Sequence, residues 1–407
     1  MKILFVSDTY YPHANGVYYF VCRIGPLLKA RGHEVAVIAP SASFFFTTTK
    51  IDNLDVYGVP SVPVLYYPNF RIPVAFRLKT HIRRVLQLFQ PDIIHLQDHF
   101  LICRTVVEIN QTLHIPVMGT NHFMPENLTA LFKSKWIKKR LEKHCWSSFS
   151  KVYNRLDMVT TPTETAARLI RPKINAHVLA LSSGINLEEY AARPRIKNVR
   201  KKYGIPDKPI LLYVGRIDPE KNIDQIIEAV ALIAKKIDFC FVVVGKGMQR
   251  ERLERLASTL SITSHIVFTG FVSDEDLPLV YQLALCFIIA STAELLSLVT
   301  LQAMASGLPV IAVDAGALPE LVHENENGLL FENGDINKMA ACIYLMLTSD
   351  QLRGKMGKQS LANVCRHDIN STVDAFENLY QRATDNQPVV YPGGLRIAWQ
   401  DRKLTNE

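Results

Sequence analysis

Apolar residues recur along this chain in two rhythms. Short uninterrupted apolar runs, the pattern of strands buried on both faces, alternate with longer stretches in which apolar positions return every three or four residues, the pattern of amphipathic helices. Residues 2–7 form the first such strand and end at Ser7-Asp8; a loop from Thr9 to Gly16, rich in Tyr, Pro, Asn and Gly, follows. A helix is expected from about Val17 to Ala30, stopped by Arg31-Gly32 with Gly32 just past its end, and Glu34–Pro40 is the second strand. Right-handed crossovers make this opening a parallel βαβ unit. Asp92-Ile-Ile-His-Leu, Pro116-Val-Met-Gly-Thr and Asp157-Met-Val-Thr-Thr-Pro continue the series, and Leu181 to Asn186 reads as a strand end with a turn. Residues 187–208, rich in charge, Pro and Tyr, read as an interdomain linker.

A second alternation begins at Pro209. It predicts helices over 222–236, 248–259 and 274–283, strands over 239–244, 265–268 and 286–290, a Gly245-Lys-Gly247 loop and a Gly270-Phe-Val turn. The stretch 291–328 completes it: a loop carrying Glu294, a short helix with Leu298, Leu301, Gln302 and Ala305 on one side, a stop at Ser306-Gly307, a strand over 309–313, and a turn at Asp314 leading into another helix. The expected architecture is therefore α/β, with two successive Rossmann-like parallel-sheet domains facing a cleft. The boundaries predicted are 1–190 for an N-terminal domain, 191–370 for a C-terminal domain, 371–386 for a last helix and 387–407 for a tail.

Composition narrows the class. At 407 residues and 48% apolar content the chain can bury a large core. It contains no run of 18 uncharged apolar residues, so no membrane-spanning helix is expected, and the opening Met-Lys-Ile-Leu-Phe-Val-Ser-Asp reads as a strand and not as a signal peptide. The seven cysteines are scattered singly, without a Cys-x-x-Cys pair, and are expected to be reduced in a cytoplasmic protein. The formal charge of +8 is uneven: residues 131–155 hold eight Lys/Arg against one Glu, and residues 71–84 hold five with no acid. Such patches call for a polyanionic partner. Residues 131–152 predict an amphipathic helix with Phe132, Trp136, Ile137, Leu141, Cys145, Phe149 and Val152 on one stripe and lysines opposite. This composition fits docking on an anionic lipid surface through Trp136, Lys138, Lys139 and Arg140, assisted by Arg71, Phe76, Arg77, Lys79, Arg83 and Arg84. Nucleic acid is not expected as a partner, since the basic stretches lack interleaved stacking aromatics.

Candidate chemistry collects at the carboxyl ends of strands, where parallel sheets bind ligands. Asn15-Gly16-Val17 opens the first helix but is not a G-x-G-x-x-G, so a dinucleotide is not implied. His95, Asp98, His99 and His122 fall at or just past strand ends and together argue for a polar site without metal-ligand spacing. Gly215-Arg216-Ile-Asp-Pro-Glu-Lys221-Asn222 places a bidentate cation and a point charge five residues apart in a loop that opens a helix, a pairing that can hold a diphosphate without a metal. The first-turn N–H groups from Ser297 to Thr300 would add the pull of a helix N-terminus. Asp274-Glu275-Asp276 imitates a metal-binding D-x-D, yet it follows Ser273 and precedes an apolar-periodic run, so it reads as helix-start acids.

Taken together, Asn15-Gly16-Val17, Arg31-Gly32-His33-Glu34-Val35, Pro91-Asp92-Ile-Ile-His95, Thr120-Asn121-His122, Tyr213-Val-Gly215-Arg216, Glu220-Lys221-Asn222, Gly270-Phe271-Val272, Glu294 and Glu320-Leu-Val with Asn327-Gly328-Leu-Leu resemble the retaining glycosyltransferases of family 4, which have the GT-B architecture. The Asn-Gly-Val loop, the basic helix and Val152-Tyr-Asn-Arg-Leu-Asp157 look most like the branch that glycosylates diacylglycerol or related membrane lipids. The resemblance implies a metal-independent hexosyltransferase that needs no cofactor, the nucleotide-sugar (UDP-glucose or similar) being a substrate, with an N-terminal acceptor domain, a C-terminal donor domain and the helix over 371–386 crossing back to the first. Gly16 would let the first loop approach the donor diphosphate, Arg216 and Lys221 would stabilise the leaving nucleoside diphosphate, and Glu294 would bind the donor sugar. Leu298 and Val299 would offer N–H groups to a phosphate, and His122 would hydrogen-bond the donor sugar or the acceptor. Gly215, Gly245 and the Gly270-Phe271-Val272 turn complete the expected donor site. Gln302 stands where the family usually has a second acid on the ribose, and Leu296-Ser297 replaces a commoner Phe-Gly. Alternatives are a soluble acceptor, such as a polysaccharide precursor or cyclitol, and a catalytically silent nucleotide-sugar-binding protein. The location implied is the cytoplasm, peripherally on a membrane.

Overall fold

The computed structural model describes residues 1–12, 15–64, 67–122, 134–191, 197–387, 389–390 and 396–397. The chain divides into two compact units, Met1–Ser183 with Asn370–Glu407, and Gly184–Ile369.

The first unit contains β1 (Lys2–Val6), β2 (Glu34–Pro40), β3 (Thr47–Ile51), β4 (Leu54–Val59), β5 (Ser61–Val64), β6 (Tyr67–Pro73), β7 (Ile93–Leu96), β8 (Val117–Thr120), β9 (Met158–Thr161) and β10 (Val178–Ala180). Eight of them form one sheet in the order β10-β9-β8-β7-β1-β2-β4-β3. Each neighbouring pair is parallel except β3 with β4. The uninterrupted apolar runs have the burial they call for: Ile3 to Val6 and Val35 to Ala39 are covered on both faces. The sequence reading passed over β3 to β6. β3 is Thr-Thr-Thr-Lys-Ile with no buried position, an edge strand held in register by a turn in which Asp52 and Asn53 take φ of +47° and +65°. β5 and β6 pair as a separate hairpin.

The helix Gly16–Ala30 starts where Asn15 accepts the Tyr18 N–H, and Gly32 takes φ +88° past its end. The basic helix spans Lys135–Tyr153; Phe132 and the rest of 131–133 lie outside the described residues. The last helix, Ile369–Thr384, belongs from Asn370 onward to the first unit. Arg31 pairs there with Asp374 and Glu377, His33 Nε2 lies 2.7 Å from Glu377 Oε1, and Tyr380 Oη lies 2.8 Å from His95 Nδ1. Most of the 387–407 tail lies outside the described residues.

The second unit carries β11 (Ile210–Val214), β12 (Cys240–Val244), β13 (Ile266–Gly270), β14 (Cys286–Ile289), β15 (Val310–Val313) and β16 (Gly328–Phe331). They make an all-parallel sheet in the order β13-β12-β11-β14-β15-β16. Two sequence expectations change here. The segment 187–208 is no free linker: Tyr190, Val199 and Ile205 are buried in this unit's core, Lys202 pairs with Asp276, and Gln282 bonds to Ala191 O. The division accordingly falls at Ser183–Gly184, ahead of the expected 190/191. Ile185 is drawn into the second unit because it bonds His367 and Ile369 through its backbone. The turn after Asp314 leads into a single 3-10 turn, Leu318–Glu320, and not into an α-helix.

Each sheet reverses its strand order once, between β1 and β7 in the first and between β11 and β14 in the second. Loops at such reversals splay apart and leave room for a ligand. The loops after β1, β7, β11 and β14 are therefore the places to look.

Candidate active site

In the second unit the loop after β11 is built on close backbone approach. Gly215 N–H donates to Val244 O at 3.0 Å, Gly245 N–H to Gly270 O at 2.9 Å, and Ile217 N–H to Lys246 O at 2.9 Å. A Cβ on Gly245, whose φ is +137°, would sit 1.9 Å from Gly215 O, so no side chain fits there. The three glycines thus hold three loop starts side by side at the carboxyl edge of the sheet.

Past them, the 3-10 turn Pro219–Lys221 presents Lys221, whose Nζ lies 2.7 Å from Glu294 Oε1 and 3.4 Å from Ser291 Oγ. Asn222 ties the same turn to the end of β14, its Nδ2 donating to Ala290 O at 2.9 Å. Lys221 and Glu294 are mostly shielded from water, with 16% and 15% of their side chains exposed. Arg216 differs: its side chain is 67% exposed and pairs with Asp218 and Glu220 in its own loop, so it is free to swing towards a ligand at little cost. Glu294 is locked on its other side, where Gly316 at φ +58° packs against its backbone and Ala317 N–H donates to Glu294 O at 3.1 Å.

The helix Leu298–Ala305 follows. Ser297 caps it by accepting from Thr300 N–H at 3.3 Å, so Thr300, expected among the open first-turn donors, is already satisfied. Leu298 and Val299 N–H have no acceptor among the described residues and remain open to an anion. Gln302 lies one turn on, its Oε1 2.9 Å from the buried Tyr281 hydroxyl. In the turn after β13, Gly270 takes φ +73°, Phe271 is exposed and Val272 is core at 3% exposure. Val272 was expected to meet a ligand; its side chain instead packs into the core of the second unit. Asp276 is held by Lys202, Tyr203 and Ser273, which fits helix-start acids.

In the first unit, the loop after β1 is organised by Asp98. One carboxylate oxygen accepts from Ser7 Oγ at 2.7 Å, Asp8 N–H at 2.9 Å, and the N–H and hydroxyl of Thr9 at 3.1 Å. Asp8 in turn accepts the N–H groups of Ile102 and Cys103 at the start of the helix Leu101–Leu113. Burial, then the nearby Asp98, raises the Asp8 pKa to about 7. Gly16 stands at the end of this loop with nothing within 4 Å of where a Cβ would be, which leaves it open to a ligand's approach.

The four-residue polar site expected around His95, Asp98, His99 and His122 resolves differently. His95 is buried with both ring nitrogens taken, by Tyr380 and Thr120. His99 is buried against Phe100 and Phe149, with its pKa pushed down to about 4 by burial. Asp98 serves the loop. His122 is the half-buried member of the group, with no hydrogen bond to Nδ1 among the described residues; Nε2 lies 2.9 Å from Gln97 Oε1 and Phe20 covers one face at 4.9 Å. Gln97, Asn222, Ser291 and Tyr281 were missed by sequence reasoning. Gln97 carried one usable signal, its place directly after a buried strand.

On the basic helix, Phe149, Val152 and Tyr153 are buried but Trp136 is 68% exposed and Ile137 41%. The expected apolar stripe is thus covered only in its second half. Arg140 lies 5.4 Å from the Trp136 ring centre, and Lys139, Arg140 and Lys143 are exposed while Lys138 is half-buried. No helix among the described residues is long and apolar enough to cross a membrane.

Residues 14–189 match the family described as Glycosyltransferase Family 4, and residues 195–362 match Glycosyl transferases group 1. Alpha-monoglucosyldiacylglycerol synthase from Streptococcus pneumoniae is 28% identical over 390 residues, covering 92% of this chain and 85% of that protein. A GDP-mannose-dependent alpha-mannosyltransferase from Mycobacterium tuberculosis is 28% identical over 340 residues, covering 82% and 85%. Among solved structures, the sucrose-phosphate synthase of Thermosynechococcus elongatus superposes with a TM-score of 0.77 at 20% identity, over 94% of this chain and 98% of that one.

Proposed function

The chain belongs to glycosyltransferase family 4 and has the GT-B fold, and from that premise we propose that it moves a hexose, with retention of anomeric configuration, from a nucleotide-sugar to a hydroxyl of a membrane lipid such as diacylglycerol. The observation that carries the reading is the Lys221–Glu294 pair at the strand-order reversal of the second sheet, beside the open N–H groups of Leu298 and Val299. In the proposed reaction the bond between the anomeric carbon and the diphosphate oxygen breaks, the acceptor oxygen bonds to the same face of that carbon, and the acceptor proton passes to the departing diphosphate. Lys221, Arg216 and the two N–H groups neutralise the charge that develops on the diphosphate. Glu294 holds hydroxyls of the donor sugar while its other oxygen keeps Lys221 in place. These groups assign to the protein's own cations the task a metal ion performs elsewhere.

The lipid acceptor is supported by the exposed Trp136 and Ile137 set among Lys139, Arg140 and Lys143, an arrangement suited to an anionic interface. It is also supported by the likeness to a synthase of monoglucosyldiacylglycerol. The enzyme would then sit peripherally on the cytosolic face of a membrane, where thiols remain reduced. Glucose is the sugar favoured by that likeness, carried in the proposed reaction as UDP-glucose, and GDP-mannose is the competitor raised by the mannosyltransferase. The test is a panel of labelled UDP- and GDP-hexoses given with EDTA to the enzyme on anionic vesicles containing diacylglycerol. One donor should label a butanol-extractable α-glycoside. Label appearing only in water-soluble acceptors would refute the lipid assignment, and no donor consumption would refute transfer altogether.

A further inference from the structure

We infer that Gln97 is a positioning residue that holds His122 in its Nε2–H tautomer and leaves Nδ1 as the acceptor for a substrate hydroxyl. The word substrate rests on the glycosyltransferase reading; the tautomer does not. Gln97 directly follows β7 and His122 lies two residues past β8, and these strands are parallel neighbours with Leu96 opposite Gly119. Both side chains therefore leave the same edge of the sheet, and His122 Nε2 comes within 2.9 Å of Gln97 Oε1.

Two further contacts fix Gln97. Its backbone N–H donates to Val6 O at 2.8 Å, and its side-chain Nε2 donates to His95 O at 3.4 Å. It is 1% exposed. The second contact decides which way the amide points: turned over, Oε1 would face the His95 carbonyl, two acceptors against each other. The amide oxygen must face the imidazole, and since it can only accept, the imidazole must donate from Nε2. Nδ1 is then a lone pair, with no hydrogen bond among the described residues, on a half-buried ring. His95, next to it, has neither nitrogen to spare.

The surroundings keep the ring neutral. Burial, then the charge of Arg23 on the helix Gly16–Ala30, push its pKa down to about 3, and His95 on β7 is near enough to be lowered by its charge in turn. So weak a base does not carry a proton away. It accepts a hydrogen bond from a hydroxyl and orients it, while the acceptor's proton leaves with the diphosphate.

The test begins on the free protein. Histidine-selective 15N labelling and two-bond 1H–15N spectra at pH 7, with His122 assigned by its loss in His122→Asn, should show a protonated Nε2 and a bare Nδ1. Gln97→Met keeps the length and removes the acceptor; the His122 signals should move to a tautomer mixture, and kcat should fall about tenfold with the donor KM changed much less. Gln97→Glu restores the acceptor with a charge. It should recover the Nε2–H form, raise the His122 pKa and add an acid limb to the pH profile of kcat. A wild-type ring protonated on Nδ1 overturns the inference, as does an unchanged tautomer and kcat in Gln97→Met. If Gln97→Met fails to fold, the wild-type spectrum and Gln97→Glu decide. A wild type that shows the expected tautomer but transfers no sugar would sink the functional reading and leave the tautomer standing.

Discussion

At the residue scale, the candidate site rests on pairings that the chain order hides. Lys221 and Glu294 are 73 residues apart, and each alone is an ordinary loop charge. The strand-and-loop spacing placed both at sheet edges, which was legible, but their contact follows from β11 and β14 being neighbours across a strand-order reversal. Val272 shows the converse limit: the motif around it was recognisable, yet its burial depends on how the turn after β13 lies against the unit's core. Gln302 is a departure whose effect the structure makes specific. Its carbonyl oxygen already faces the Tyr281 hydroxyl at 2.9 Å, and a carboxylate would keep that bond while turning its other oxygen, in place of an amide NH2, outward. Gln302→Glu should therefore fold normally and tighten nucleotide binding by about fivefold through a charge-assisted hydrogen bond to ribose. Isothermal titration with nucleoside diphosphate checks this, and weaker binding would count against a ribose role for this position.

At the element scale, strongly periodic stretches were readable and weakly apolar ones were not. The helices Gly16–Ala30 and Ile369–Thr384 lie close to where their spacing puts them. β3 escaped notice because its threonines and lysine pair along an edge without a buried face. The basic helix divides opinion between core and interface on sequence alone, since a stripe of Trp, Ile, Leu and Phe fits both. The structure separates its halves: Phe149 and Val152 are core, while Trp136 and Ile137 face solvent among cations. Reversing Lys138, Lys139 and Arg140 to Glu should leave the thermal midpoint within a few degrees and lower affinity for anionic vesicles at least tenfold, since each basic residue near the surface contributes about 1 kcal/mol. Sedimentation with vesicles of graded phosphatidylglycerol content reads this directly. Unchanged binding would move the interface elsewhere.

At the scale of the whole molecule, the two βαβ series and the parallel sheets follow from apolar periodicity and right-handed crossovers; the return of the last helix to the first unit follows only from the resemblance. The exact strand orders do not, because they depend on which sheet edge each crossover adds to. Buried ionisable groups in the first unit give its stability an opposed pH dependence. Asp8, raised from 3.8 to about 7, contributes stability that is full below its unfolded value and is lost as pH rises through about 7. His99 and His122, lowered to about 4 and about 3, contribute stability that is present above pH 6.5 and is lost as pH falls through those values. Asp8→Asn should keep the shorter bond, its amide oxygen accepting from Ile102 N–H, lose the one from Cys103, and flatten the decline between about pH 4 and 7, read as urea midpoints across that range; parallel curves for variant and wild type would contradict the assignment. The central claim is metal-free glycosyl transfer to lipid by the Lys221–Glu294 site. Its most direct test is the initial rate of label transfer from nucleotide-hexose to diacylglycerol vesicles in EDTA, for wild type, Lys221→Met and Glu294→Gln. The account predicts transfer by wild type and a loss of at least about a hundredfold in each variant with the fold intact. Transfer that survives both substitutions, or that requires an added divalent cation, would contradict it.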